Sequence, residues 1–116
     1  MFESIVVPGD KLHVVTRRLF DGDVSSHFVG AVVGNTDSLC ELEGYAMVFD
    51  AGRREWVRRP ELRKRILSLA EAGHVVTRLP RDVAVDDLYY ERADGELLLT
   101  DGKEFELSLS ELGPLK

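Results

Sequence analysis

Short segments of β-type sequence, separated by turn signals, constrain the fold of this chain more than any other feature. The turn signals are Asp-Gly or other Gly- and Pro-containing steps at positions 8–10, 21–23, 50–52, 94–95 and 101–102. Short strands joined by tight turns build antiparallel sheets. The sequence therefore predicts a mainly β protein, a small and strongly bent antiparallel barrel or roll with one or two short helices.

The length and composition predict one ordinary globular domain. The chain has 116 residues, of which 44% are hydrophobic and 31% are charged, and it contains four prolines. A chain of this size can bury a core that needs no metal or disulfide, and this composition excludes low-complexity disorder. We expect a single domain that spans residues 1–116.

The first third of the chain contains three strand candidates. Residues 4–7 are rich in β-branched side chains and predict a short first strand. Residues 11–20 alternate imperfectly, which indicates a strand with a bend or a bulge. Residues 27–33 resume the strand pattern after a turn.

The longest strand candidate runs from residue 39 to residue 49. In its first half Cys40 and Leu42 share the inward face by alternation, and Gly44 then changes the pattern. Beyond this glycine the segment is apolar on both faces, which is typical of a two-sided core or a subunit interface. We therefore expect a bent strand that passes between two sheets. We also expect a homo-oligomer whose interface contains Tyr45, Met47 and Phe49.

Residues 60–72 fit two interpretations. As a helix, the segment begins with proline and places Leu62 and Ile66 on one face. As β structure, it forms a strand at 64–69, a turn, and a second strand at 74–79. The apolar spacing favours the helix at 60–72, and the β interpretation stays open.

The C-terminal third carries the clearest local signal. The Asp-Gly step at 94–95 lies between strand-like segments at 88–91 and 96–100, and such a step predicts a hairpin because glycine adopts positive φ without strain. Residues 105–109 alternate apolar and polar and predict a half-exposed last strand. Residues 82–88 have room for one short helical turn.

A basic stretch at residues 53–65 stands out in an acidic protein. It holds seven of the fifteen Lys and Arg residues and two acids, so it carries +5 within a chain of net charge −6. Residues 55–58 predict a short strand that pairs back on residues 45–49, which places the stretch on a hairpin. The candidate binding residues are Arg53, Arg54, Trp56, Arg58, Arg59, Arg63, Lys64 and Arg65.

The sequence favours a non-enzymatic binding or assembly module in which this basic hairpin engages an acidic surface, its own or a partner's. The alternative is a nucleic-acid-binding small β-barrel in which Trp56 stacks on a base and arginines contact phosphates. The acidic whole chain opposes the approach of a polyanion, so such binding has to be local. An enzyme whose site is assembled only by folding is the third hypothesis.

No motif in the sequence specifies a reaction, a cofactor or a metal. The chain has no Gly-rich phosphate loop and no zinc or hydrolase motif. Cys40 is the single cysteine and lies on an apolar strand face, so we expect a buried and unreactive thiol. Asp21, Asp23 and His27 offer metal-ligand types, but Asp-Gly-Asp is explained by a hairpin turn.

The N-terminal segment Met1–Pro8 lacks the basic region and the apolar run of a signal peptide, and no later run reaches membrane-spanning length. We expect a cytoplasmic protein that does not enter the membrane. The single cysteine fits a reducing compartment.

Residues 12–50 resemble the run of strands in Sm-like and other small barrels. Gly22, Gly30 and the segment 37–42 stand where that family keeps its turn, its strand glycine and its base-binding loop. The resemblance covers about a third of the chain. The family's asparagine and its second Arg-Gly motif have no counterpart here, so no family is assigned.

Overall fold

A computed structural model of the protein describes residues 6–16, 26–68 and 74–109. In this part of the chain, nine strands form two antiparallel sheets and one 3₁₀ turn connects them. The strands are β1 (Lys11–Thr16), β2 (Ser26–Asn35), β3 (Leu39–Asp50), β4 (Glu55–Arg58), β5 (Arg63–Ser68), β6 (His74–Leu79), β7 (Tyr89–Ala93), β8 (Glu96–Thr100) and β9 (Glu106–Ser108), and the 3₁₀ turn is Val85–Asp87.

The first sheet contains six strands in the order β4-β3-β2-β1-β6, with β5 also paired to β3. β4 and β5 pair with successive halves of β3 and so continue along the same side of it. The connection between them stays attached to β3, because the Arg59 N–H donates a hydrogen bond to the Ala46 carbonyl at 2.8 Å. Pro60, which has no N–H, follows at the break between them.

Two facing glycines permit a close approach of β2 and β3 in this sheet. Gly30 on β2 lies directly opposite Gly44 on β3. A Cβ atom at Gly44 would stand 1.9 Å from the Val29 carbonyl oxygen, which no side chain tolerates. The backbones therefore approach each other at this point only because both positions lack side chains.

The bent sheet has an apolar core on each face. The inner core on its concave face contains Val6, Leu12, Val14, Phe28, Val32, Cys40, Leu42, Ala46 and Leu67. The opposite face packs on the three-stranded sheet β7-β8-β9, and this outer core contains Val29, Met47, Leu79, Val83, Leu88 and Leu99. Ala46 and Met47 are adjacent on β3 but belong to different cores, as strand alternation requires.

This architecture confirms the mainly β prediction as an open roll of two packed sheets. The first sheet does not close into a barrel, because in the described residues β5 pairs only with β3 and β6 pairs only with β1. The strand expected at 39–49 is β3, and each of its faces contributes buried side chains to a core within one chain. Cys40 is 0% exposed, which confirms the buried thiol.

The helix favoured for residues 60–72 is wrong. Residues 63–68 and 74–79 are strands, in agreement with the β interpretation, and positions 69–73 lie outside the described residues. Pairing with β3 buries Leu67 and leaves Ile66 71% exposed. The apolar spacing that suggested a helix face therefore marks side chains that face outward.

The predicted C-terminal elements are present, whereas the predicted first strand at residues 4–7 is not found at Val6 and Val7. The hairpin at Asp94-Gly95 is confirmed, with positive φ at both residues (53° and 80°). The 3₁₀ turn lies within the segment 82–88, and β9 lies within 105–109. Val6 and Val7 are not in a strand, and the rest of the first strand candidate, like the turn at 21–23, falls outside the described residues.

Candidate functional site

The seven cations of the basic stretch are not gathered on one surface. Arg58 points toward the second sheet, where its Nη1 donates to the carbonyls of Asp86 at 2.6 Å and Leu88 at 2.9 Å. Its guanidinium lies 4.5 Å from the centre of the Tyr45 ring, in a cation–π contact. Arg58 therefore links the first sheet to the segment that leads into the second, so its guanidinium is engaged within the chain.

Two further arginines of the stretch pair with acids in their own neighbourhood. Arg53 lies 3.0 Å from Glu55 and Arg59 lies 3.4 Å from Glu61, and all four side chains are exposed. Such pairs contribute at most about 1 kcal/mol. These partners are in the stretch itself and not in the acidic C-terminal strands. Arg54 lies in the turn before β4, with φ at 55°.

The remaining cations are consecutive on β5, with Lys64 on one face of the strand and Arg63 and Arg65 on the other. Arg63, Lys64 and Arg65 are all exposed, and they are flanked by Leu62 at 55% exposure and Ile66 at 71%. We call these five residues the basic edge, because in the described part of the chain β5 has a strand on one side only. The basic edge thus combines three positive charges with two exposed aliphatic side chains on an edge strand.

The contacts of the basic edge with β3 differ along its length. Lys64 stands opposite Glu43 and Arg63 opposite Gly44. Neither the Lys64 nor the Arg63 side chain lies within ion-pair distance of an acidic side chain in the described residues. The Arg65 guanidinium lies 4.9 Å from the centre of the Phe28 ring, on the concave face. Lys64 and Arg63, like Arg54, are therefore exposed cations that no ion pair within the described residues engages.

A cleft lies on the concave face beside the basic edge. It has a volume of about 150 Å³, and its walls include Val14, Phe28, Leu67 and Arg65 from the first sheet, with His74 at the start of β6. β5 and β6 both contribute to it, so the edge strands of the bent sheet lie on either side of one opening. The cleft offers an apolar floor next to the basic edge.

Trp56 lies between the sheets and not on the basic edge. Its ring centre is 4.4 Å from that of His27, 5.7 Å from that of Phe49 and 5.3 Å from that of Tyr90. Its Nε1 is buried and has no hydrogen-bond partner in the described residues. The indole ring of Trp56 therefore packs against aromatic side chains inside the protein.

The three residues expected at a subunit interface have contacts within the chain. Met47 is 1% exposed in the outer core, and the Tyr45 hydroxyl donates to the Asp86 carboxylate at 2.7 Å. Phe49 packs on Trp56. The second sheet of the same chain thus accounts for the two-faced apolar pattern of β3, and the oligomer stays a prediction.

A buried polar cluster, which sequence analysis did not find, joins β1, β2 and β7. The Tyr90 hydroxyl lies 2.6 Å from Nε2 of His13 and 2.6 Å from Nδ1 of His27. Both histidines are 1% exposed. A hydroxyl has one proton, so Tyr90 donates to one ring nitrogen and accepts an N–H from the other. Whichever tautomers hold, the buried Nε2 of His27 has no partner in the described residues.

Burial controls the protonation of this cluster. It lowers the pKa of His13 to about 4, with a further contribution from the charge of His27, and it lowers the pKa of His27 to about 4. Burial also raises the pKa of Tyr90. Both histidines are therefore neutral at pH 7. The cluster joins β1 and β2 of the first sheet to β7 of the second.

Asp10 forms a second buried polar centre. It is 4% exposed and accepts hydrogen bonds from the Val7 N–H at 3.0 Å and from Arg81 Nε at 3.1 Å, with Arg78 at 3.8 Å. The Val7 hydrogen bond, followed by Arg81, holds the pKa of this carboxyl below its usual value. Asp10 fixes the turn that precedes β1.

A larger pocket of about 480 Å³ lies between the end of β6 and the turn after β8, and its walls include Asp82, Asp101, Lys103 and Phe105. Asp101 accepts from the N–H groups of Lys103 and Phe105, and Lys103 pairs with Asp87 at 3.0 Å. These polar groups are used in holding the turn. They do not form a nucleophile and base pair.

Within the described ranges, no three His, Cys, Asp or Glu side chains are placed to hold a metal ion. No helix in the same ranges is long and apolar enough to cross a membrane. No protein family, curated protein or solved structure matches this chain. The basic edge is therefore the candidate functional site on its own chemistry.

Proposed function

We propose that this protein is a non-enzymatic binding module that engages an acidic protein surface through the basic edge. The observation that carries the proposal is the exposure of Arg63 and Lys64 beside Ile66 on an edge strand. The other arginines of the stretch with a contact in the described residues, Arg53, Arg58 and Arg59, are engaged within the chain. Apart from Arg54 in the turn before β4, the cations left for a partner lie on β5.

Electrostatics favours a compact acidic partner over a long polyanion. The protein carries a net charge of −6, and exposed charges act over about 8 Å at physiological ionic strength. A short acidic segment placed on the basic edge experiences mainly its three cations. A long nucleic acid would also meet the acidic remainder of the surface.

The nucleic-acid alternative has less support from the side chains at the site. Single-stranded nucleic acid is usually held by stacking on exposed aromatic rings as well as by cations. Trp56 has its ring contacts inside the protein, and Phe28 under Arg65 is 3% exposed. The exposed apolar groups of the basic edge are aliphatic, and such groups pack against protein side chains.

The proposal is tested by binding of a short polyglutamate peptide to the wild type, R63A/K64A and R53A/R92A. The two variants lose the same charge, and the Arg92 side chain is exposed on β7, away from the basic edge. We expect binding that R63A/K64A weakens by about tenfold or more and that the control changes by less than about twofold.

Two results would contradict the proposal. One is no peptide binding by the wild type at low salt. The other is binding of a single-stranded oligonucleotide in place of the peptide, with the same dependence on Arg63 and Lys64, which would establish the nucleic-acid alternative.

A second copy of the chain is one source of an acidic surface. Glu91, Asp94 and Glu96 are exposed around the β7–β8 hairpin and are complementary in charge to the basic edge. We propose self-association through this complementarity as a second possibility, because the sequence predicts an oligomer and these acids are exposed.

A further inference from the structure

We infer that the partner binds the basic edge as an added β-strand, and that it is an extended segment of another protein in which acidic and apolar residues alternate. This inference rests on the proposed function and specifies the form of its ligand. Strand addition requires a strand edge whose N–H and C=O groups can bond to an added strand, which we call the guest strand. In the described residues, β5 has such an edge opposite its pairing with β3.

The existing partner of β5 shows which side-chain pattern fits beside it. On β3, Glu43 stands opposite Lys64 and Glu41 stands opposite Ile66, while the intervening Leu42 turns to the inner core. A guest strand on the other side of β5 meets the same two faces. Acids on its outer face lie near Lys64, and apolar side chains on its inner face lie toward the cleft and against the aliphatic stems of Arg63 and Arg65.

The cleft is suited to those inner apolar side chains. Its floor includes Phe28 and Leu67, which are 3% and 9% exposed, and its volume of about 150 Å³ is that of a few methylene groups and not of a large ligand. A leucine or valine side chain matches this space. On the outer face, the methylene groups of a guest glutamate can pack against the exposed side chain of Ile66.

Charge argues against a second copy of β5 as the guest. Antiparallel pairing of two β5 strands would bring six cations, three from each copy, into a ladder with a strand spacing of about 4.8 Å. Like charges on adjacent strands are destabilising, and edge lysines and arginines commonly prevent such pairing. The same charges attract an acidic strand. The charge of the basic edge therefore disfavours pairing with a second copy of β5 and favours the addition of an acidic strand.

Three peptides of equal length test the inference. The first alternates glutamate and leucine, the second is the same peptide with two leucines replaced by proline, and the third alternates lysine and leucine. Proline removes the N–H groups that a guest strand donates and leaves the acidic charge unchanged. Affinity is measured by calorimetry for wild type, R63A/K64A and R53A/R92A, and amide hydrogen exchange of the wild type locates the contact.

We expect the glutamate–leucine peptide to bind at least about tenfold more tightly than its proline counterpart. R63A/K64A should weaken this binding by about tenfold or more, and R53A/R92A by less than about twofold. The lysine–leucine peptide should not bind. Slower exchange on binding should be confined to amides of β5 and residues of the cleft.

Each contrary outcome has a distinct meaning. Equal binding of the first two peptides overturns strand addition and leaves the proposed function standing. No binding of either acidic peptide overturns both. Slower exchange at a site other than β5 overturns the assignment to this edge. If R63A/K64A self-associates while the wild type binds no peptide, the cations serve only to keep the edge from pairing, and the inference is wrong.

Discussion

Tyr90 and its two histidines are the residues whose protonation most affects the folded state. Both histidines are neutral and buried when folded, whereas in the unfolded chain they titrate near 6.5. Between pH 6.5 and pH 4 the unfolded chain therefore takes up protons that the folded protein excludes. Folding stability must fall as pH is lowered through this window.

We predict that the free energy of unfolding decreases by up to about 3 kcal/mol for each histidine between pH 6.5 and pH 4. Urea titrations at a series of pH values measure it. Asp10 acts in a separate window, because its folded pKa is lowered and its contribution is lost only at pH values below the ordinary 3.8. A stability that stays level from pH 6.5 to 4.5 would show that the histidines are not held neutral.

A matched substitution tests the hydroxyl. Tyr90→Phe keeps the ring and leaves two buried ring nitrogens without their partner, so we expect a loss of about 1–3 kcal/mol at pH 7. Tyr89→Phe is the control, because the Tyr89 side chain is 40% exposed. Equal effects of the two changes in urea unfolding would contradict the assigned role of the Tyr90 hydroxyl.

Among the elements, β3 organises the molecule. It pairs with β2 on one side and with β4 and β5 in succession on the other, and its two faces supply both cores. The bend at Gly44 allows one strand to do this, because the backbones of β2 and β3 meet there without an intervening Cβ. The orientation of the basic edge depends on that bend.

We predict that Gly44→Ala destabilises the protein by about 3 kcal/mol or more, because the added methyl would meet a backbone oxygen at 1.9 Å. Gly34→Ala on β2 is the control, since a Cβ there meets no atom within 4 Å, and it should change stability by less than about 1 kcal/mol. Thermal and urea unfolding measure both. A Gly44→Ala protein as stable as the control would mean that the close approach is absent.

At the scale of the whole molecule, polar contacts fix how the two sheets meet. Arg58 binds the carbonyls of Asp86 and Leu88, Tyr45 binds the Asp86 carboxylate, and Tyr90 joins both histidines. These contacts cross from the first sheet to the segment that contains the second. The basic edge and the acids Glu91, Asp94 and Glu96 of the β7–β8 hairpin take no part in these contacts, and they are exposed regions of opposite charge.

If a second copy supplies the acidic surface, the association should be sensitive to salt. We expect light scattering at low salt to give a mass above 13.0 kDa that falls toward 13.0 kDa as salt is added. The R63A/K64A variant should lose the larger species. A monomer at high micromolar concentration in low salt would exclude self-association, and a larger species that is insensitive to salt would point instead to an apolar interface.

Local chemistry was sufficient to predict several features from the sequence. Asp94-Gly95 specifies its hairpin because the backbone angles that it needs are properties of those two residues. Alternation placed Cys40 in a core, and the apolar run after Gly44 predicted a strand between two sheets. Each of these follows from the backbone preferences and side-chain period of a few neighbouring residues.

Only the tertiary structure decided the features that depend on pairing over long distances in the chain. Residues 63–68 are a strand because β3 supplies their hydrogen-bond partners, and local apolar spacing carries no record of that pairing. His13 and His27 meet on Tyr90 because the register of two sheets brings them together. In the same way, the contacts of Arg58 with distant carbonyls separate it from the cations of β5. Sequence shows which residues are charged, and folding determines which of those charges are paired within the chain and which stay exposed.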